Sequence, residues 1–119
     1  MKEIKAFEKA IAYQTGNLKE VGINATMLWA YYRSKEAGNE LIDFHEVIWG
    51  NDIAEIVQTC RENDIREFTI SSNCTTLIET LVEFEKLGCK MFGLMQVYAP
   101  YKEFMSDKQA VIPAIKMVL

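Results

Sequence analysis

Several things this sequence lacks narrow its reading before anything it contains. It has a single histidine, and its three cysteines, Cys60, Cys74 and Cys89, form no CxxC pair and no ligand-like spacing. That is too thin a set for a structural zinc site or a disulfide framework. An odd number of thiols is a liability in an oxidising compartment, so reduced cysteines in a cytoplasm are the simpler expectation. Long apolar runs are missing too. Runs such as Met91–Met95 and Val111–Ile115 are far short of the ~20 residues that cross a bilayer as a helix. The start, Met1-Lys2-Glu3-Ile4-Lys5, has no apolar segment behind it, so no signal peptide is expected. Excess basic charge is absent as well. Lys and Arg total 13 against 17 Asp and Glu, for a net −4, and they alternate along the chain. Phosphate-backbone affinity needs clustered Lys and Arg, so neither nucleic acid nor an anionic membrane surface is an expected partner.

What is present reads as one α/β domain over residues 1–119, long enough to bury a core unaided. Ile4, Phe7 and Ile11 have helical spacing, with a short strand over Lys2–Phe7 as the rival. Asn17 with Glu20 resembles a helix start. The stripe Ile23, Met27, Ala30, Tyr31 and Ser34 marks a second helix, stopped by Gly38-Asn39. Ile42–Trp49 is a short strand or the lead-in to a helix. Asp52 with Glu55 gives an N-cap signal for the helix carrying Ile53, Ile56, Val57 and Cys60.

The strongest fold signal follows. Arg66–Ser71 alternates as a strand, and Thr76 with Glu79 forms a capping box. Leu77, Ile78, Leu81 and Phe84 supply a buried stripe, and Gly88 stands where a C-terminal cap belongs. Met91–Tyr98 is apolar on both faces, as a central strand is. Strand, helix and strand make a βαβ unit. After Pro100 and a polar connection, Ala110–Leu119 is predicted to be a final antiparallel strand, with Pro113 at an edge or a bulge because it cannot donate to a ladder. The expected architecture is a small mixed sheet with a βαβ unit, a C-terminal antiparallel strand and helices packed on the sheet.

The best-placed polar cluster is Ser71-Ser72-Asn73-Cys74-Thr75-Thr76, between a strand's carboxyl end and a helix start. Open α/β sheets bind ligands there, and free N–H groups favour an anion. Capping and turn closure explain the same residues without a ligand. No Gly-rich cradle or lysine accompanies them, so this is no P-loop. Cys74 could be an activated thiol at a helix N-terminus, but no Arg follows it and nothing in the sequence brings His45 to it. Asp43 and His45 share a strand face and invite a metal reading, yet too few further ligands stand nearby. No catalytic set, metal site or cofactor is assigned. Trp29 and Tyr32 lie on a helix that is apolar around much of its circumference, so one face is a candidate interface.

The strings Asp43–Trp49, Arg61-Glu62-Asn63, Glu67–Ser72, Leu77–Thr80 and Ile112–Met117 resemble a family of small uncharacterised bacterial proteins, a domain of unknown function often carried on mobile elements. The resemblance runs from about Leu41 to Leu119 and departs at Asp64, where glycine is expected. It implies a fold and no mechanism. The leading functional expectation is a non-catalytic binding or regulatory module acting through protein contacts, with a protein partner or a homodimer. The alternative is a module or enzyme for a phosphorylated ligand or nucleotide, using the Ser71–Thr76 turn.

Overall fold

Apolar residues at helical spacing each bury one face of a helix. In the computed structural model, which describes residues 1–119, the elements are α1 (Lys5–Ala12), α2 (Ala25–Ala37), β1 (Asp43–Phe44), α3 (Gly50–Glu62), β2 (Glu67–Ile70), α4 (Leu77–Lys86), β3 (Lys90–Lys102) and β4 (Gln109–Val118). Helix wins over strand at the N-terminus because Ile4, Phe7 and Ala10 all reach the core. The Asn17 signal produces only a turn: the Glu20 N–H donates to Asn17 Oδ1 at 3.3 Å, and Gly22 at φ +74 ends it. Asn24 is the cap that starts α2, accepting from the Met27 N–H.

Two predicted caps are displaced. α3 begins at Gly50 with Trp49 in the N-cap position and no side-chain cap. Asp52 instead accepts from Asn24 Nδ2 at 3.0 Å and Thr26 Oγ1 at 2.9 Å, tying α3 to α2. Thr76 precedes α4 but makes no cap bond. On α4, Ile78 is 74% exposed and Thr80 is buried in its place, so the stripe is rotated from the predicted one.

The helix ends follow one pattern. The Cys89 N–H donates to Phe84 O while Gly88 N–H donates to Glu85 O, with Gly88 at φ +93. This is a Schellman end, which needs a left-handed residue just past the helix. α2 closes the same way on Gly38. At the end of α3 the left-handed place falls to Asp64, at φ +55, so the position where glycine is expected is the one whose backbone calls for it.

The sheet order is β1-β2-β4-β3. β1 and β2 are parallel, pairing Asp43 with Thr69 and Phe44 with Ile70. β4 is antiparallel to β2 on one side and to β3 on the other. The fold is therefore mixed α/β, with β1–α3–β2 a βαβ unit of adjacent parallel strands. β2–α4–β3 is also a parallel crossover, but β4 lies between its two strands. Here the sequence reading is corrected: β3 is the edge strand and β4 the inner one. β4 takes the inner place because its Met117 shares a face with Phe68, where both are buried. Pro113 still obeys its constraint. β2 ends at the Ile70–Ile115 pair, so β4 has no neighbour on that side at Pro113. β3 also runs through Pro100 rather than ending there, and its register with β4 is irregular between Tyr98 and Lys102.

The core is centred on Phe68, which meets Phe44 edge-on at 5.5 Å and Phe84 at 5.2 Å. Ile53, Ile56, Val57 and Cys60 of α3 pack with them, and Met27 and Tyr31 of α2 extend the cluster to Phe7. Because β2 is only four residues long, the β3–β4 hairpin runs past the carboxyl ends of β1 and β2. That overhang walls one end of the sheet.

Candidate functional site

The parallel pairing sets the carboxyl ends of β1 and β2 side by side. Asp43 pairs with Thr69, so two residues on, His45 and Ser71 continue the same face. Asp43 is only 5% exposed. A buried carboxylate is costly unless it is hydrogen-bonded, and this one accepts from Thr69 Oγ1 and Ser71 Oγ, each at 2.6 Å. The Asp43 N–H donates to Ser34 Oγ on α2 at 2.8 Å. Ser71 is held from behind, because its N–H and that of Ser72 both donate to Phe44 O.

Ser71 Oγ also lies 3.0 Å from His45 Nδ1. A serine hydroxyl has one proton, and the carboxylate takes it. Ser71 can therefore only accept from histidine, which places an imidazole proton on Nδ1, so that in the neutral ring Nε2 is the bare acceptor. The order carboxylate–serine–histidine differs from a nucleophilic triad, in which histidine receives the serine proton and the carboxylate holds histidine. Here Ser71 is a bridge that fixes the histidine tautomer. Tyr101, on the overhanging hairpin, meets the His45 ring at 6.1 Å.

In front of this chain lies a cleft of about 420 Å³ between one face of α2, the end of β1 and the hairpin. Thr26, Trp29, Ala30, Arg33, Ser34 and Ala37 line it at helical spacing, and the small residues among them make the room. Asp43, His45, Glu46, Tyr98 and Pro100 close the other walls. Arg33 Nη1 donates to Glu46 Oε1 at 2.8 Å. Asn39 uses its whole amide on the hairpin edge, donating to Tyr98 O and accepting from the Tyr98 N–H, both at 2.8 Å.

The structure divides the predicted Ser71–Thr76 cluster. Ser71 joins the Asp43–His45 chain and Ser72 is buried, whereas Asn73, Thr75 and Thr76 are exposed, and none of the six is a cleft wall. The Cys74 thiol is 3.6 Å from Thr76 Oγ1. Hydrogen bonding from the Ser72 side chain, then from Thr76, holds that thiol below its ordinary pKa. Cys74 and His45 thus have separate partners. Burial, with Cys89 close by, pushes the Cys60 thiol up to about 12. No group of three or more His, Cys, Asp or Glu side chains gathers where it could hold a metal ion.

Trp29 is 53% exposed and meets the half-buried Tyr32 edge-on at 6.1 Å. It belongs to both the candidate interface and the cleft wall. Sequence reasoning missed the chain through Ser71, and with it Arg33 and Tyr98. A signal existed: Asp43-x-His45 and Thr69-x-Ser71 have the same alternation on neighbouring strands. Only the pairing of β1 with β2 turns the two into one constellation.

These features define an α/β domain with a cleft at the carboxyl end of a parallel strand, where such sheets commonly receive ligands. The chain belongs to the family described as a domain of unknown function (DUF7698), which matches residues 26–119. The match takes in α2 as well as everything from Leu41 onward, and leaves out α1 and the turn after it. No curated protein and no solved structure matches the chain. No helix is long and apolar enough to cross a membrane.

Proposed function

We propose that this protein binds a small molecule in the cleft between α2, the carboxyl end of β1 and the β3–β4 hairpin. The observation that carries this reading is the hydrogen-bond chain Asp43–Ser71–His45, built from a buried carboxylate and ending at the wall of a 420 Å³ cleft. That volume falls in the lower part of the range typical of ligand pockets, and apolar walls with a few convergent polar groups are the usual lining. The reading moves the ligand site off the Ser71–Thr76 turn to residues of α2, β1 and the hairpin, with Ser71 acting from behind through His45. The three free thiols suit a reducing cytoplasm. The bacterial, mobile-element setting rests on the sequence resemblance.

A second reading, protein contact or self-association, has one observation in its favour. The edge strand β3 exposes Met91, Phe92 and Leu94 by 62%, 72% and 79%. Exposed apolar edges invite pairing with another chain. Trp29 and Tyr32 extend the apolar surface available to a partner.

Native mass spectrometry of gently purified protein separates the two readings. A monomer carrying a small bound mass, lost on Trp29→Ala, is the result expected for the cleft. A dimer with no added mass, converted to monomer by Leu94→Lys, would replace the small-molecule reading with the interface reading.

A further inference from the structure

Most polar groups around the cleft are already committed to one another. Ser34 Oγ accepts from the Asp43 N–H, the Asp43 carboxylate holds Thr69 and Ser71, the Asn39 amide is spent on Tyr98, and Thr26 donates to Asp52. Two of the groups that keep capacity carry opposite hydrogen-bonding character. One is Nε2 of His45, an acceptor in the neutral ring because Nδ1 carries the proton toward Ser71. The other is the Arg33 guanidinium, with five donor N–H groups, which gives one nitrogen to Glu46. That ion pair is 47% and 69% exposed on its two sides. Pairs so exposed bind weakly, so an incoming acid can take the place of Glu46. The rings of Trp29 and Tyr98 line the same cleft.

Resting on the cleft reading proposed above, we infer that the ligand class is a planar aromatic acid with a ring N–H or O–H. The ring stacks against Trp29 and Tyr98, its donor bonds His45 Nε2, and its carboxylate or phosphate is held by Arg33. Guanidinium matches either acid in a two-pronged geometry, and its planar face also packs on aromatic rings. A neutral or cationic ring would leave Arg33 to Glu46 and use half the available groups. Because Ser71 gives its proton to Asp43, His45 accepts at Nε2, so a ligand with only acceptors at that end is refused.

The test uses the full chain labelled with nitrogen-15, whose single histidine gives unambiguous ring signals. Trp29 is separated from Trp49 by a Trp49→Phe background. The probes are 4-hydroxybenzoate, 4-hydroxyphenyl phosphate and the neutral 4-hydroxybenzamide. The expected result is that both acids shift the His45 and Trp29 signals and bind at least ten-fold tighter than the amide. Arg33→Gln, an exposed position where the fold is retained, erases that preference, and His45→Gln weakens all three probes. The tighter of the two acids identifies a carboxylate or a phosphate source. If the amide binds the cleft as tightly as the acids, or Arg33→Gln leaves their advantage intact, the ligand class is overturned while the cleft reading stands. If none of the probes moves either signal, both are overturned.

Discussion

The two halves of the sheet treat their apolar residues in opposite ways. In the parallel half, β1 and β2 are short, and Phe44, Phe68 and Ile70 are each no more than 1% exposed. In the hairpin half, β3 is 13 residues long and leaves Met91, Phe92 and Leu94 more than half exposed. Apolar content alone therefore does not rank strands by burial. β1 and β2 are covered because α3 and α4 return across them in parallel crossovers, whereas the hairpin is closed by a local turn and carries no helix of its own beyond α2. Short strands ending under a long hairpin also leave an open corner, and that corner is the cleft.

The sharpest way to break this contrast is in the core. Phe68→Ala removes the ring that joins Phe44 to Phe84 and is expected to cost about 3–5 kcal/mol. Against a total of about 5–15 kcal/mol for a domain, that shows directly as a lower urea midpoint. A loss under about 1 kcal/mol would mean that Phe68 is not the centre of the core. Thiol labelling sharpens the same contrast between buried and exposed chemistry. Cys74, whose thiol is held below its ordinary pKa, is expected to react with iodoacetamide at neutral pH well before Cys60, which stays protonated up to about 12 in the fold. The lowered value means more thiolate at a given pH. Ser72→Ala removes the main hydrogen bond behind it and is expected to slow the labelling of Cys74. Mass mapping of the labelled peptides reads this out.

A smaller effect is expected at the turn between α3 and β2. Asp64 holds a left-handed backbone that costs an L-residue roughly 1–2 kcal/mol. Asp64→Gly relieves that strain but loosens the unfolded chain and gives up exposed pairs to Arg66 and Lys2, worth at most about 1 kcal/mol each. The expected net is a gain of up to about 1 kcal/mol in chemical denaturation, and a clear loss would show that the ion pairs outweigh the strain. The smallest effect is expected at the edge. Phe92→Ala is expected to change stability by no more than about 0.5 kcal/mol, since Phe92 is 72% exposed, stands opposite no residue of β4 and has the Lys116 ammonium 5.1 Å from its ring centre. A concentration-dependent loss would instead reveal a partner chain on β3.

The contrast also marks where the sequence was readable. Helices with one apolar face, such as α3 with Ile53, Ile56, Val57 and Cys60, were legible from spacing because the spacing is itself the cause of burial. So was the glycine stop of α2, a local backbone requirement, whereas the glycine expected at Asp64 came from the family resemblance. Strand order was not legible. Met91–Tyr98 reads as a central strand, yet its place depends on β4 finding β2, a choice made between residues far apart in the chain. The capping signals at Asp52 and Thr76 failed for a related reason: Asp52 found partners on α2, and Thr76 faces Cys74. The site was half legible. Ser71 was singled out as part of a turn and Asp43 with His45 as a pair, but the bridge between them exists only when β1 and β2 are in register.

The most direct test of the account is the protonation state of the one histidine, read by long-range nitrogen-15 correlation spectroscopy at neutral pH. The account requires the proton on Nδ1 and a bare Nε2 in the native chain, with that preference lost in Ser71→Ala. A proton on Nε2 in the native chain, or a spectrum unchanged by Ser71→Ala, would contradict the bridge from Asp43 through Ser71 to His45 on which the proposed cleft chemistry stands.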